Sequence, residues 1–191
     1  KVHPLVRSFN TELGPTNSIM GGFASTEVIK LVTSKYTPIS QWWTWYDDTL
    51  IPDEQPDELG TTPLGKLLGK RVEEKLKSLN VLIVGCGALG CEWLKVLAGL
   101  GVGVNGLIEV TDPDHIEKSN LNRQFLFRPE HISKSKSKVA VKMIKQINPR
   151  MNLKAYTEKV GYSNPEVTEM LFNGKDVVIN ALDNVEARRF V

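Results

Sequence analysis

The sequence predicts an α/β protein. A Rossmann-like, mostly parallel sheet with helices on both faces occupies residues 80–191, and a helix and a strand from a separate unit precede it. Three observations carry that reading. From residue 80 onward, short apolar runs alternate with segments of helical period. A G-x-G-x-x-G turn, Gly85-Cys86-Gly87-Ala88-Leu89-Gly90, joins the first run to the first such segment. Asp112 closes the second run, about 20 residues on, where sheets of this kind place a ribose-binding acid.

In chain order, residues 15–33 read as a helix, because Ile19, Phe23, Val28, Ile29 and Val32 recur on roughly one face. Gly21-Gly22 inside it lowers helix propensity by roughly 1 kcal/mol per glycine, which implies another backbone passing close by. Residues 39–48, rich in aromatics after Pro38, read as a strand. Residues 49–65, with Pro52, Pro56 and Pro63 among acids and glycines, read as a linker. Leu67, Leu68, Val72 and Leu76 then predict a helix over 66–79. Strands are expected at 81–84, 106–111, 152–159 and 177–180. Helices are expected at 88–100, 136–147 (closed by Asn148-Pro149) and 165–172.

Composition bounds the function. The chain has 191 residues, 41% hydrophobic and 24% charged, enough for one sizeable core or one and a half domains. A net charge of +2 is too small to argue for a nucleic-acid partner. There is no signal peptide and no apolar run long enough to span a bilayer, so no membrane role is expected. Cys86 and Cys91 lie too close together for a disulfide framework, which points to a reducing compartment, cytoplasm or nucleus. Lys1 does not resemble a native start, and Arg188-Arg189-Phe190-Val191 falls within a helical pattern. The chain therefore reads as a fragment of a longer protein, one whose truncated sheet edge could promote self-association.

The glycine turn marks a phosphate site. Gly85 permits the tight turn, Gly87 lets a phosphate reach the backbone, and Gly90 lets the helix pack on the strand. The helix N-terminus offers free N–H groups and partial positive charge. Glycine turn and Asp112 together fit NAD as well as ATP. The long polar stretch over 111–140 separates the two. It carries Asn120, Arg123, Gln124, Arg128, Lys134, Lys136 and Lys138. An NAD site needs only modest positive charge, whereas a triphosphate attacked at its α-phosphorus gains from fixed cations. Lys134 and Lys138 alone read as solvated.

The segment TDPDHIEKSNLNRQFLFRPEHISKSKS, with VGCGALGCE upstream and INALDNVEAR downstream, closely resembles the active adenylation domain of eukaryotic ubiquitin-activating enzymes. MGGFASTEVIKLVTSKYTPISQWWTWYDD resembles the end of the inactive adenylation domain that precedes it in those polypeptides. The resemblance implies an organisation: residues 1–52 from the inactive domain, 53–79 a linker and helix, and 80–191 the ATP-binding half of the active domain, of the ThiF/MoeB-like type. It implies a reaction in which the C-terminal carboxylate of ubiquitin, or of a ubiquitin-like protein, attacks the ATP α-phosphate. Pyrophosphate leaves, and the acyl group passes to a cysteine thiol.

It also implies roles for residues. Gly85, Gly87, Ala88 and Gly90 form the nucleotide loop and Asp112 holds the ribose. Asn120, Arg123 and Gln124 line the phosphates, with Arg123 the principal charge stabiliser, and Lys136 contacts phosphate. Arg123 and Lys136 are thus the catalytic pair. Asp183 binds Mg²⁺, and Asn184 lies beside the nucleotide. The thioester cysteine is neither Cys86 nor Cys91 but lies in a separate domain, as do the surfaces for ubiquitin-conjugating enzymes. Residues 53–79 depart from the family pattern in lacking its tyrosine- and arginine-containing segment.

Overall fold

Gly14–Thr33 forms helix α1, as its apolar spacing predicts, yet it buries none of its residues. Side chains added at Gly21 and Gly22 would meet nothing within 4 Å, so the close backbone expected there is not found among the described residues. These are residues 14–45, 56–183 and 185–191 of a computed structural model. The chain divides into two units, Lys1–Glu74 and Lys75–Val191.

In the first unit, residues 39–45 are not a strand, contrary to the expectation for 39–48; residues 46–48 lie outside the described residues. The aromatic run folds back on α1 instead. Trp43 sits 4.0 Å from Phe23, centroid to centroid, and the Ile39 N–H donates to Glu27 Oε2 at 2.8 Å. A strand needs a partner for its backbone, and here stacking and a side-chain acceptor replace the ladder. The helix expected over 66–79 is two helices, α2 (Pro63–Leu68) and α3 (Lys70–Lys77). Gly69 breaks them with φ +96, where a Cβ would stand 2.7 Å from the Pro56 side chain. The expected linker 49–65 therefore ends inside a helix, capped by Thr62; residues 49–55 lie outside the described residues.

The second unit is a parallel sheet of four strands, β1 (Asn80–Val84), β2 (Leu107–Thr111), β3 (Leu153–Tyr156) and β4 (Val177–Asn180), in the order β3-β2-β1-β4. The connecting helices are α4 (Ala88–Leu100), α5 (Lys136–Ile147) and α6 (Pro165–Phe172), and α7 (Val185–Phe190) follows β4. β3 stops earlier than the expected 159, because its pairing with β2 ends at Thr111↔Tyr156. Strand alternation sorts the core. Val81, Ile83, Ile108 and Val110 join Leu94 of α4 and Ile144 of α5 on one face, and Leu82 and Val84 meet Leu171 of α6 on the other. Gly101, in the left-handed region, caps α4, and Val102 N–H closes back on Leu97 O. The polar stretch after β2 is structured by two 3-10 turns, Lys118–Asn120 and Pro129–His131, and it buries Ile116, Leu126 and Phe127 in the core.

The chain runs outward from β1 to β2 to β3, then returns to place β4 on the far side of β1. Sheets with such a reversal bind ligands in the crevice beyond the carboxyl ends of their strands.

Candidate functional site

A cavity of about 880 Å³ opens at that reversal. Val84, Gly85, Gly87 and Ala88 form one wall, beside Ala181, Leu182 and Asp183 from the end of β4. Thr111, Asp112 and Asp114 follow β2, and Asn120, Arg123, Gln124 and Lys136 complete the lining with Glu158, Lys159 and Val160. Every expected site residue except Gly90 and Asn184 lines this cavity. Gly90 sits behind the loop, and Asn184 lies outside the described residues.

The glycines divide the work. Gly85 has φ +100, and a Cβ there would lie 2.8 Å from Ala181 O, so β4 closes on the loop. A Cβ on Gly90 would approach Gly85 O to 2.2 Å, which is the contact of helix with strand. Gly87 is different, since its nearest neighbour would be Gln124 Nε2 at 3.8 Å. That space is open to a ligand. Gly87 is also the N-cap of α4 and caps it with no side-chain hydrogen bond, and Gly87, Ala88 and Leu89 bring that helix start into the cavity lining.

Asp112 is buried. Its Oδ2 accepts from the Cys86 N–H at 2.6 Å and its Oδ1 from the Asp114 N–H at 2.8 Å. Burial pushes its carboxyl above the ordinary aspartate value, against the pull of those two N–H groups and Lys136. Each oxygen retains a second lone pair for a hydroxyl donor. Lys136, at the start of α5 behind the Ser135 cap, is nearly buried and donates to Asp114 Oδ2 at 2.8 Å. Asp114, which the sequence did not single out, is thus the counter-ion of the expected phosphate lysine. Pairing across 22 positions leaves no periodic signal.

Arg123 is exposed and is steadied by Ser119 O at 2.8 Å and Asn122 Oδ1 at 3.1 Å. Asn120 is buried, its Oδ1 accepting from the Glu117 N–H. Gln124 is buried, and its Oε1 has no hydrogen-bond partner among the described residues. Asp183 presents an exposed carboxylate at the carboxyl end of β4. Among the described residues no three His, Cys, Asp or Glu gather as a metal cluster. Mg²⁺ commonly takes one or two carboxylates together with phosphate oxygens, and Asp183 fits that demand. Thr111 also went unmarked in the sequence, though its hydroxyl donates to Glu158 O at 2.6 Å. Cys86 and Cys91 are free and fully buried, and the neighbouring Cys91 together with burial pushes the Cys86 thiol up. Both act as packing.

The ThiF family model matches residues 62–191. The chain belongs to the ThiF family. Relatives of this ThiF chain include ubiquitin-like modifier-activating enzyme 6 of Mus musculus, 43% identical over 202 residues that cover all of this chain and 19% of that protein. Ubiquitin-activating enzyme E1 1 of Candida albicans (strain WO-1) is 45% identical over 192 residues, covering 90% of this chain and 18% of that protein. The ThiF chain thus spans about a fifth of the length of these relatives. Among solved structures, E. coli tRNA N6-threonylcarbamoyladenosine dehydratase TcdA in complex with ATP superposes with a TM-score of 0.58 at 27% identity, over 64% of this chain and 49% of that one. E. coli MccB matches with a TM-score of 0.50 at 28% identity, over 56% of this chain and 30% of that one.

Proposed function

We propose that this chain is the nucleotide-binding part of an E1-type enzyme that adenylates ubiquitin, or a ubiquitin-like protein, with ATP. The observation that carries the reading is the joining, in one cavity, of the glycine loop, Asp112, Arg123, Lys136 and Asp183. The kinship with modifier-activating enzymes and the ATP complex of TcdA support it.

In this reading the α4 N-terminus and the loop N–H groups take phosphate oxygens, and Asp112 accepts from the ribose hydroxyls. The modifier's carboxylate oxygen bonds to the α-phosphorus, and the bond from that phosphorus to the bridging oxygen breaks. Pyrophosphate departs with the electron pair. Arg123 and Lys136 offset the charge that develops on the phosphoryl oxygens, Lys136 exchanging Asp114 for phosphate. Asn120 and Gln124 complete the phosphate wall. Asp183 would hold Mg²⁺, which when bound neutralises phosphate charge. Asn184 is assigned beside the nucleotide from the sequence resemblance. The thiol that receives the acyl group belongs to another domain, and ubiquitin-conjugating enzymes engage surfaces beyond this chain. We assign residues 1–52 to the end of an inactive adenylation domain, 53–79 to a connector and 80–191 to the active one. The two free thiols fit a reducing setting, cytoplasm and nucleus.

ATP–pyrophosphate exchange by the full-length protein, run with a panel of ubiquitin-like proteins, tests the reading and names the modifier. Arg123→Ala and Asp183→Ala should each lower exchange by about 10²-fold or more, the scale of losing one transition-state donor. Exchange unaffected by both substitutions would sink the site assignment.

A further inference from the structure

Thr111 is the last residue of β2 and only 1% exposed. A hydroxyl at that depth needs a partner, and Thr111 finds one off the ladder. Main-chain pairing between β2 and β3 ends at Tyr156, whose carbonyl takes the Asp112 N–H at 3.2 Å. Two residues further on, where the chain has left the sheet, the Thr111 hydroxyl donates to Glu158 O at 2.6 Å. It extends the sheet's grip by one bond. On its other side, the Thr111 carbonyl accepts from the Gly85 N–H at 2.9 Å. One residue therefore ties two opposing parts of the cavity lining, the glycine loop and the Glu158–Lys159–Val160 rim.

We propose that Thr111 is a positioning residue for the nucleotide: its hydroxyl fixes the 158–160 rim relative to the glycine loop and so sets the width of the cavity beside Asp112. The inference rests on the nucleotide reading of this cavity. Valine would have the same shape and equal fitness for a strand end, so packing alone gives no reason for the hydroxyl.

The test compares Thr111→Val, Thr111→Ala and Thr111→Ser with the unchanged full-length protein. ATP is titrated by calorimetry, and KM and kcat are taken from pyrophosphate exchange. Valine and alanine should raise the Kd and KM for ATP about fivefold or more, the scale of losing one intramolecular hydrogen bond, and leave kcat within about twofold. Serine should restore both constants. Should valine fail to fold, as a methyl pressed on the Glu158 carbonyl could cause, alanine gives the answer. Unchanged ATP affinity in the alanine variant, an equal loss in serine, or loss of the fold in both valine and alanine would overturn the proposal. Where the unchanged protein binds ATP without exchange, the adenylation reading falls and the titration still decides Thr111. Where it does not bind ATP, both fall.

Discussion

Gly85 and Gly87 stand two positions apart and answer to different constraints. Gly85 is held by the fold, because its φ of +100 and the Ala181 carbonyl leave no place for a Cβ. Gly85→Ala should cost roughly 2–5 kcal/mol from backbone strain and overpacking, visible as a lowered thermal midpoint. Gly87 has open space before it and an extended φ of −77. Gly87→Ala should leave the midpoint within a few degrees, yet abolish measurable ATP binding, since the methyl would occupy the route by which phosphate reaches the helix N-terminus. A calorimetric titration beside a melting curve separates the two effects, and equal behaviour of both variants would contradict the division. The motif G-x-G-x-x-G made all three glycines and this division of roles legible in the sequence, and the geometry adds the contacts that hold Gly85 and Gly90.

At the scale of elements, the sequence disclosed the parallel sheet well because β1 and β2 are buried on both faces, and β1 reads as an unbroken apolar run after Asn80 while β2 departs from one only at Glu109 and Thr111. It disclosed the first unit poorly. The aromatic segment after Pro38 has strand propensity without a strand partner among the described residues, and the helix after Pro63 is broken by a single left-handed glycine. Across that break Glu73, a buried carboxylate, accepts from Thr61 N–H at 2.7 Å, Thr61 Oγ1 at 2.9 Å and Thr62 N–H at 3.2 Å. Gly60 and Gly65 make room for it. Such a contact, twelve residues apart across a turn, has no periodic signature. Likewise Asp114 and Thr111 escaped notice because their partners come from α5 and from beyond β3. Glu73→Ala should cost about 1.5–3 kcal/mol, the range for hydrogen bonds to a charged acceptor. Hydrogen exchange should quicken at the Thr61 and Thr62 amides while the β1 amides keep their protection. Slow exchange at Thr61 and Thr62 in the variant would show that the turn does not depend on the carboxylate.

For the whole molecule, the Glu109–Lys175 ion pair sits within the sheet unit, with Tyr156 OH donating to Glu109 Oε1 at 2.6 Å. Burial resists ionisation of Glu109, but Lys175, Tyr156 and Lys154 outweigh it and hold the carboxyl below its ordinary value. The sign follows. A carboxylate with a depressed folded pKa contributes stability that is complete above the unfolded value of about 4.3. That contribution is lost as pH falls through the lower folded value. Lys175→Met should therefore destabilise by roughly 3–5 kcal/mol at neutral pH, the cost of stranding a buried charge. The gap between the variant and the unchanged protein should narrow on acidification, as Glu109 of the variant, no longer held ionised by Lys175, takes a proton. Denaturant titrations at pH 7 and pH 4 check this, and a gap independent of pH would refute the assignment.

The contact of Ala181 with Gly85 has a consequence in time. The glycine loop is synthesised before its backing, and the residue that closes behind it emerges about a hundred positions later. At a ribosomal pace of about 5–20 residues per second, the loop waits roughly 5–20 s for its backing. During that interval β1 has no β4 beside it, and Leu82 and Val84 lack the Leu171 that covers them. A nascent chain would thus hold an uncovered apolar strand next to a half-built cavity. On the proposed nucleotide reading, ATP rewards folding only after β4 has docked, which places ligand binding last in the order of assembly.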